Sequence, residues 1–228
     1  MFTMVLKNEL FEKMTNENNV SASLTIVDKN EQNLAENQSK SLMVSAKIPK
    51  SDKYLSADWL KKILEVCDNV RDKTYIMYHV ETGLRVTEVV NSEWVHVDWQ
   101  NNRTYTYDYK KDQWRYVYWP ETVKAALKMW LKHCEMTGTK EKTIFNFSEK
   151  TANRIIKHWC KVVNFHYSKE IGSHWLRHTF IRLSRKAHRD IKAVQQNTGD
   201  TVKTILEWYS DLSSEDMKYE IEKKPLIQ

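Results

Sequence analysis

This chain of 228 residues has little of what a membrane or an oxidising compartment would ask of it. No run of apolar residues approaches the roughly 20 needed to cross a bilayer. The amino terminus has no basic segment leading into an apolar stretch and a small-residue cleavage site. A soluble, intracellular, cytoplasmic protein is expected, with no membrane partner. Cysteine is scarce: Cys67, Cys134 and Cys160 each fall on an apolar helical stripe and lack metal-ligand spacing. Buried free thiols are expected there, not a disulfide framework or a zinc site. Residues 15–50 contain no aromatic residue and only short apolar runs such as Leu24-Thr25-Ile26-Val27. Residues 1–50 therefore read as a poorly ordered or partial N-terminal segment. No internal repeat is present.

What the chain does have is 41% hydrophobic residues and nine Trp, enough for a sizeable core. Residues 1–50 carry six Lys and six acidic residues, so the whole net charge of +6 belongs to residues 51–228, with 30 basic against 24 acidic side chains. That excess suggests a polyanionic partner, although ordinary solubility charge reads the same way.

Folded texture begins at Ser56, a helix cap followed by Trp59, Leu60, Ile63, Leu64 and Cys67 at helical spacing. A second helix is predicted near Lys73–Val80, leading into Thr82-Gly83, and a third from Arg85–Thr87. Tyr105, Tyr107 and Tyr109, then Trp114, Tyr116 and Tyr118, alternate with polar residues around Lys110-Lys111-Asp112-Gln113, which predicts a hairpin with lysines at its tip. Pro120 opens a helix with Val123, Ala126, Leu127, Trp130, Leu131 and Cys134 on one face and Gly138 just past its end. A helix over 149–163 carries an apolar face and, on another, Lys150, Arg154, Lys157 and Lys161 at i, i+4, i+7 and i+11. Short helices separated by turns complete the chain.

Three separated segments stand out: Thr82-Gly83-Leu84-Arg85, His174-Trp175-Leu176-Arg177-His178, and Thr198-Gly199-Asp200 with Tyr209 nine positions later. In this order they resemble the active-site boxes of the tyrosine recombinases, the phage and archaeal-virus integrase family. The resemblance implies a mainly α fold with a small antiparallel β-sheet (α+β) over residues 51–228, and cleavage and rejoining of DNA through a phosphotyrosine. It implies no metal and no cofactor, and, for a viral source, a place in the host cytoplasm or nucleoid.

Metal-free cleavage of a phosphodiester needs a nucleophile, an acid for the leaving hydroxyl, and cations around a phosphate that gains negative charge. By resemblance Arg85 and Arg177 grip the nonbridging oxygens, for which a planar guanidinium is suited. His174 is three residues from Arg177 and shares a helix face with it, so both reach one phosphate; His174 either hydrogen-bonds that phosphate or accepts the attacking tyrosine's proton, and His178 buttresses from behind. Helical periodicity alone makes Tyr209 a core residue, after Val202, Ile205 and Leu206; the resemblance makes it the nucleophile and Tyr219 the decoy. The resemblance also implies a hairpin lysine that protonates the leaving oxygen; the family's Lys-x-x-x-x-Arg pattern, counted back from Arg115, gives that role to Lys110, with Lys111 close behind, and either is also readable as a solvated or backbone-contacting turn lysine. Glu88 matches the acidic residue that follows the first arginine and orients a neighbouring cation.

Asp200 departs from the pattern, since relatives mostly have His or Trp there. An ionised carboxylate repels a phosphate, so it either orients Arg177 or His174 or weakens the site. Lys111, Lys150, Arg154, Lys157, Lys161, Arg182 and Arg185 are the expected contacts to double-stranded DNA, against the plainer reading of a solvated helix face. The run Ser213–Glu220 is helix-compatible and suited to pack on a neighbouring protomer, and dimeric or tetrameric assembly on DNA is expected. The alternatives are a DNA-binding protein on a recombinase scaffold without turnover and a type IB topoisomerase-like strand transferase.

Overall fold

The computed structural model describes Ile48 and residues 53–209. The expectations for the N-terminal segment, for Ser213–Glu220 and for Tyr219 lie outside the described residues. All elements below belong to the unit that begins at Pro49.

Helix α1 (Ala57–Val66) starts where the sequence places its cap, with the Ser56 hydroxyl accepting the Trp59 N–H at 3.4 Å. Helix α2 (Val70–Thr82) is longer than its apolar spacing suggests. The Asn69 side chain accepts the Asp72 N–H at 3.1 Å and so caps an earlier start. Gly83, at φ 63°, ends the helix in the left-handed region. A Cβ there would also lie 2.3 Å from Phe180 Cδ1, so the ring sits directly on bare backbone. Tyr75, Ile76 and Tyr78 of α2 are fully buried. They make it the central helix, flanked by α4 (Glu121–Thr137) and α6 (His174–Lys186).

After the short α3 (Val86–Val90) and a 3₁₀ turn at Trp94–His96, the chain forms an antiparallel sheet of β1 (Val97–Asp98), β2 (Arg103–Asp108) and β3 (Gln113–Tyr118), in that order. Register pairs Tyr105 with Tyr116 and Tyr107 with Trp114 on one face, and Thr104 with Val117 and Thr106 with Arg115 on the other. The faces invert the usual rule of apolar side chains inward. Tyr105, Trp114, Tyr116 and Tyr118 are exposed, whereas Thr104, Thr106 and Asp108 are buried. The outward rings cover one another, Tyr105 on Trp114 at 4.9 Å and near-parallel. Arg103 lies 3.9 Å over Tyr116.

Helix α5 (Glu149–Val162) buries Ala152, Ile155, Ile156, Trp159 and Cys160. Helices α7 (Ile191–Thr198) and α8 (Val202–Tyr209) close on α6 through Phe180, Ile181, Val194 and Ile205, each worth roughly 1.5–3 kcal/mol of burial. Asn197 fastens α7 to the sheet by pairing with both backbone groups of Tyr118, at 2.9 and 2.8 Å. The result is the expected mainly helical domain with one small antiparallel sheet. All three cysteines are buried and free, and burial pushes the Cys160 thiol up to about 12. Among the described residues no helix is long and apolar enough to cross a membrane.

Candidate active site

Four pieces of chain distant in sequence meet beneath the C-terminal end of α2. The Gly83 turn supplies Arg85, β2 and β3 supply Asp108 and Arg115, the first turn of α6 supplies Arg177, and the α7–α8 turn supplies Asp200. Arg85 precedes α3, and Glu88 in the first turn closes back on it: the carboxylate accepts the Arg85 N–H at 2.9 Å and the guanidinium at 3.0 Å. The arginine head is thereby drawn back over α3 and toward the sheet. Its Nη1 also donates to Asp108 at 3.1 Å, and its Nη2 to Asp200 Oδ1 at 3.0 Å.

Arg177 arrives from the opposite side and is 8% exposed. Its Nη1 donates to the Gly83 carbonyl at 2.6 Å, and its Nη2 to the Thr198 carbonyl at 2.9 Å and to Asp200 Oδ2 at 2.6 Å. One carboxylate thus joins the two arginines, an oxygen to each. Burial lowers the Arg177 pKa from the ordinary arginine value, opposed by Asp200. Burial works the same way on Arg85, but Glu88, Asp200 and Asp108 outweigh it and raise its pKa.

Behind this pair lies a second layer, in which motif matching finds Arg115 and Glu88 but passes over Asp108. Arg115 donates from Nη2 to Glu88 at 3.0 Å and to the Asn197 and Thr198 carbonyls, both at 3.2 Å. Asp108 is fully buried, and its Oδ1 accepts Arg85 together with the backbone N–H groups of Lys110, at 3.0 Å, and Lys111, at 3.3 Å. Burial would raise the Asp108 pKa, but Arg85, Arg115 and the two N–H groups hold it below the usual carboxylate value. The hairpin turn and the first arginine therefore share one anchor. Gly199, at φ 70°, makes room for this layer, since a Cβ would lie 2.6 Å from Asp108 Oδ2 and 3.0 Å from Arg115 Nε. Strand alternation held the signal: with Tyr105 and Tyr107 on one face, Asp108 must occupy the other.

His174 is the first residue of α6 and is exposed. Asn153 of α5 sets the start of that helix by accepting from the Ser173 N–H at 2.8 Å and hydroxyl at 2.9 Å. Desolvation of the ring and then the Lys53 charge lower the His174 pKa from its ordinary value. His178 follows one turn later, its ring 5.7 Å from that of His174. Beneath them, buried His79 hydrogen-bonds Tyr75 at 3.1 Å and the Leu84 carbonyl at 3.0 Å. Burial drives its pKa down to about 3, so it braces the Gly83–Arg85 turn as a neutral ring. Lys110 and Lys111 are exposed at the hairpin tip, and Tyr209 ends α8.

The cluster holds three guanidinium groups and three carboxylates, and two of the guanidinium groups, those of Arg85 and Arg177, meet on the single carboxylate of Asp200. The phage integrase family model matches residues 53–216. The chain belongs to that family. The tyrosine recombinase XerA of Pyrococcus horikoshii is 30% identical over 190 residues, 80% of this chain and 65% of that protein. The XerA of Saccharolobus solfataricus is 27% identical over 172 residues, 75% of this chain and 56% of that protein. This member of the family thus spans less than two thirds of the length of these curated relatives. Among solved structures, the fold is similar to a crystal structure of XerA recombinase, with a TM-score of 0.67 and 25% identity over 78% of this chain and 66% of that one. The Tn1549 transposon integrase in complex with transposon right end DNA shares the fold at a TM-score of 0.60 and 18% identity, over 80% of this chain and 69% of that one.

The expected DNA contacts divide. Lys150, Arg154, Lys157 and Lys161 line the exposed face of α5 as their spacing predicts. Arg182 does not join them. It is 4% exposed, with its guanidinium 5.5 Å from the centre of the Tyr54 ring, because position 182 falls on the side of α6 that packs inward. Arg185, in the last turn of α6, is half-buried.

Proposed function

We propose that this chain is a site-specific DNA recombinase that cleaves and rejoins strands through a 3′-phosphotyrosine. The observation that carries the reading is the paired grip of Arg85 and Arg177 on the two oxygens of one anion, at 3.0 and 2.6 Å. Two nonbridging oxygens of a phosphodiester present the same pair of acceptors, and the donors are fixed by Glu88, Gly83 and Thr198 before any ligand arrives.

In this reaction the Tyr209 phenol oxygen attacks phosphorus and its proton passes to His174, whose desolvation, with the Lys53 charge, favours the neutral ring that accepts it. The bond from phosphorus to the 5′ oxygen breaks, and Lys110 protonates that oxygen as it leaves. Asp108 holds the turn that carries Lys110. The phosphotyrosine ester retains the bond energy, so a 5′-hydroxyl from the same or a partner duplex reverses the step. The basic face of α5 holds duplex phosphates, and protomers assemble on DNA as dimers or tetramers.

The test is incubation with nicked suicide duplexes of pooled sequence, followed by denaturing electrophoresis for a covalent adduct. The wild type should give one, Tyr209→Phe none, and Tyr219→Phe the wild-type amount. An adduct that survives Tyr209→Phe and disappears with Tyr219→Phe overturns the assignment of the nucleophile.

A further inference from the structure

We infer that Asp200 is a displaceable internal anion that occupies the seat of the scissile phosphate until DNA docks. The inference rests on the reading of Arg85 and Arg177 as the phosphate clamp. Its geometric basis is that Asp200 does not brace the arginines from behind. Bracing already comes from elsewhere: Glu88 and Asp108 hold Arg85 Nη1, and the Gly83 carbonyl holds Arg177 Nη1. Asp200 takes the Nη2 of each arginine, one oxygen apiece, at 3.0 and 2.6 Å, sharing that of Arg177 with the Thr198 carbonyl at 2.9 Å. No other side chain among the described residues touches both guanidinium groups.

A phosphate that is to be held by both arginines must therefore remove this carboxylate. Two anions cannot share the same donors, and their charges repel. The chain nevertheless gains from the arrangement in the absence of DNA, because Arg177 is almost wholly buried and, among the described residues, Asp200 is the carboxylate paired with it. The means of release is local. Asp200 has its own N–H on the Thr198 hydroxyl at 3.3 Å and follows Gly199, the left-handed cap of α7. Rotation of one side chain or a small shift of this turn withdraws it. Only Thr201 separates Asp200 from the start of α8, the helix that ends in Tyr209. Exchange of carboxylate for phosphate thus takes place at the root of the helix that bears the nucleophile, and an empty site is held closed by the same chain segment that leads to it.

The full chain tests this with inorganic phosphate as the probe. Melting temperatures of the wild type, Asp200→Asn and Asp200→His are compared in phosphate and in chloride of equal ionic strength. The wild type should respond equally to both salts. Each variant should melt lower than the wild type in chloride and recover specifically in phosphate, which fills the vacated seat. In the suicide-duplex assay Asp200→Asn should form adduct faster than the wild type, by roughly tenfold or more, the worth of one charged hydrogen-bond competitor. Variants that ignore phosphate and form adduct more slowly than the wild type overturn the inference and make Asp200 a permanent brace. Failure of the recombinase reading looks different: no protein forms adduct, yet the variants keep their phosphate response.

Discussion

The arginine cluster and the basic face of α5 both concentrate positive charge, and they neutralise it in opposite ways. In the cluster Arg85, Arg115 and Arg177 lie against Glu88, Asp108 and Asp200, at 2.6 to 3.1 Å for the ion pairs formed. On α5 Lys150, Arg154, Lys157 and Lys161 point into solvent, and none is paired with a carboxylate among the described residues. Arg154 only reaches the Thr151 hydroxyl, at 3.0 Å. The difference follows from burial. A cation inside the protein must bring its counter-ion with it, whereas a cation at the surface leaves that role to solvent ions or to a partner polyanion. Buried charge is therefore structural before it is functional, and surface charge is available at little structural cost.

The sharpest way to break this contrast is Arg177→Met. It removes one of the two cations on the Asp200 carboxylate, leaving Arg85 alone there, and takes the donor from the Gly83 carbonyl; it should cost about 3 kcal/mol in urea unfolding, besides abolishing adduct formation. A cost near zero would mean that the cluster is no more structural than α5. Glu88→Gln comes next, at about 2–3 kcal/mol. Glu88 is 1% exposed and serves both Arg85 and Arg115.

A third effect is read as a pH dependence from buried His79. Its folded pKa, about 3, is depressed from the ordinary histidine value of 6.5. Between those limits the unfolded chain binds a proton that the folded chain refuses, so this contribution to stability is complete above pH 6.5 and declines as pH falls. At pH 5 the loss should be about 2 kcal/mol relative to pH 7. Comparison of unfolding midpoints at both pH values with those of His79→Gln isolates it, since the variant lacks the group. The smallest structural effect belongs to α5. Replacing Lys150, Lys157 and Lys161 with Ala should each shift stability by no more than about 0.5 kcal/mol. The same changes should weaken duplex binding and flatten its salt dependence by roughly 0.9 in slope per lost phosphate contact. A stability loss on the scale of Arg177→Met would erase the comparison.

The two regions also differ in how far they can be read without coordinates. The α5 stripe is a local matter of spacing, and 3.6 residues per turn suffices to place it on one face. The Ser56 cap, the Pro120 start and the Gly138 stop are equally local, and the structure has them in place. Arg182 shows the limit. It lies on the same chain stretch as Arg185, but which side of α6 meets the core depends on α2 and α7, and the spacing of basic residues does not reveal it. The aromatic residues of the hairpin show the same limit, since alternation divides them from Thr104, Thr106 and Asp108 without saying which set lies inward.

Local sequence therefore determined the helix boundaries near caps, the hairpin and its lysine tip, the exposed basic face and the three boxes that carry the family resemblance. Tertiary structure alone decided that Asp108 belongs to the site, that Arg115 ties Glu88 to the end of α7, that the polar face of the hairpin is the buried one, and that Asp200 joins Arg85 to Arg177. The physical reason is range. Capping and helical periodicity act over about four residues, whereas Arg85 and Asp200 are 115 positions apart and meet only because Gly83, Gly199 and the packing of α2 against α6 bring their backbones close enough for one carboxylate to span both guanidinium groups.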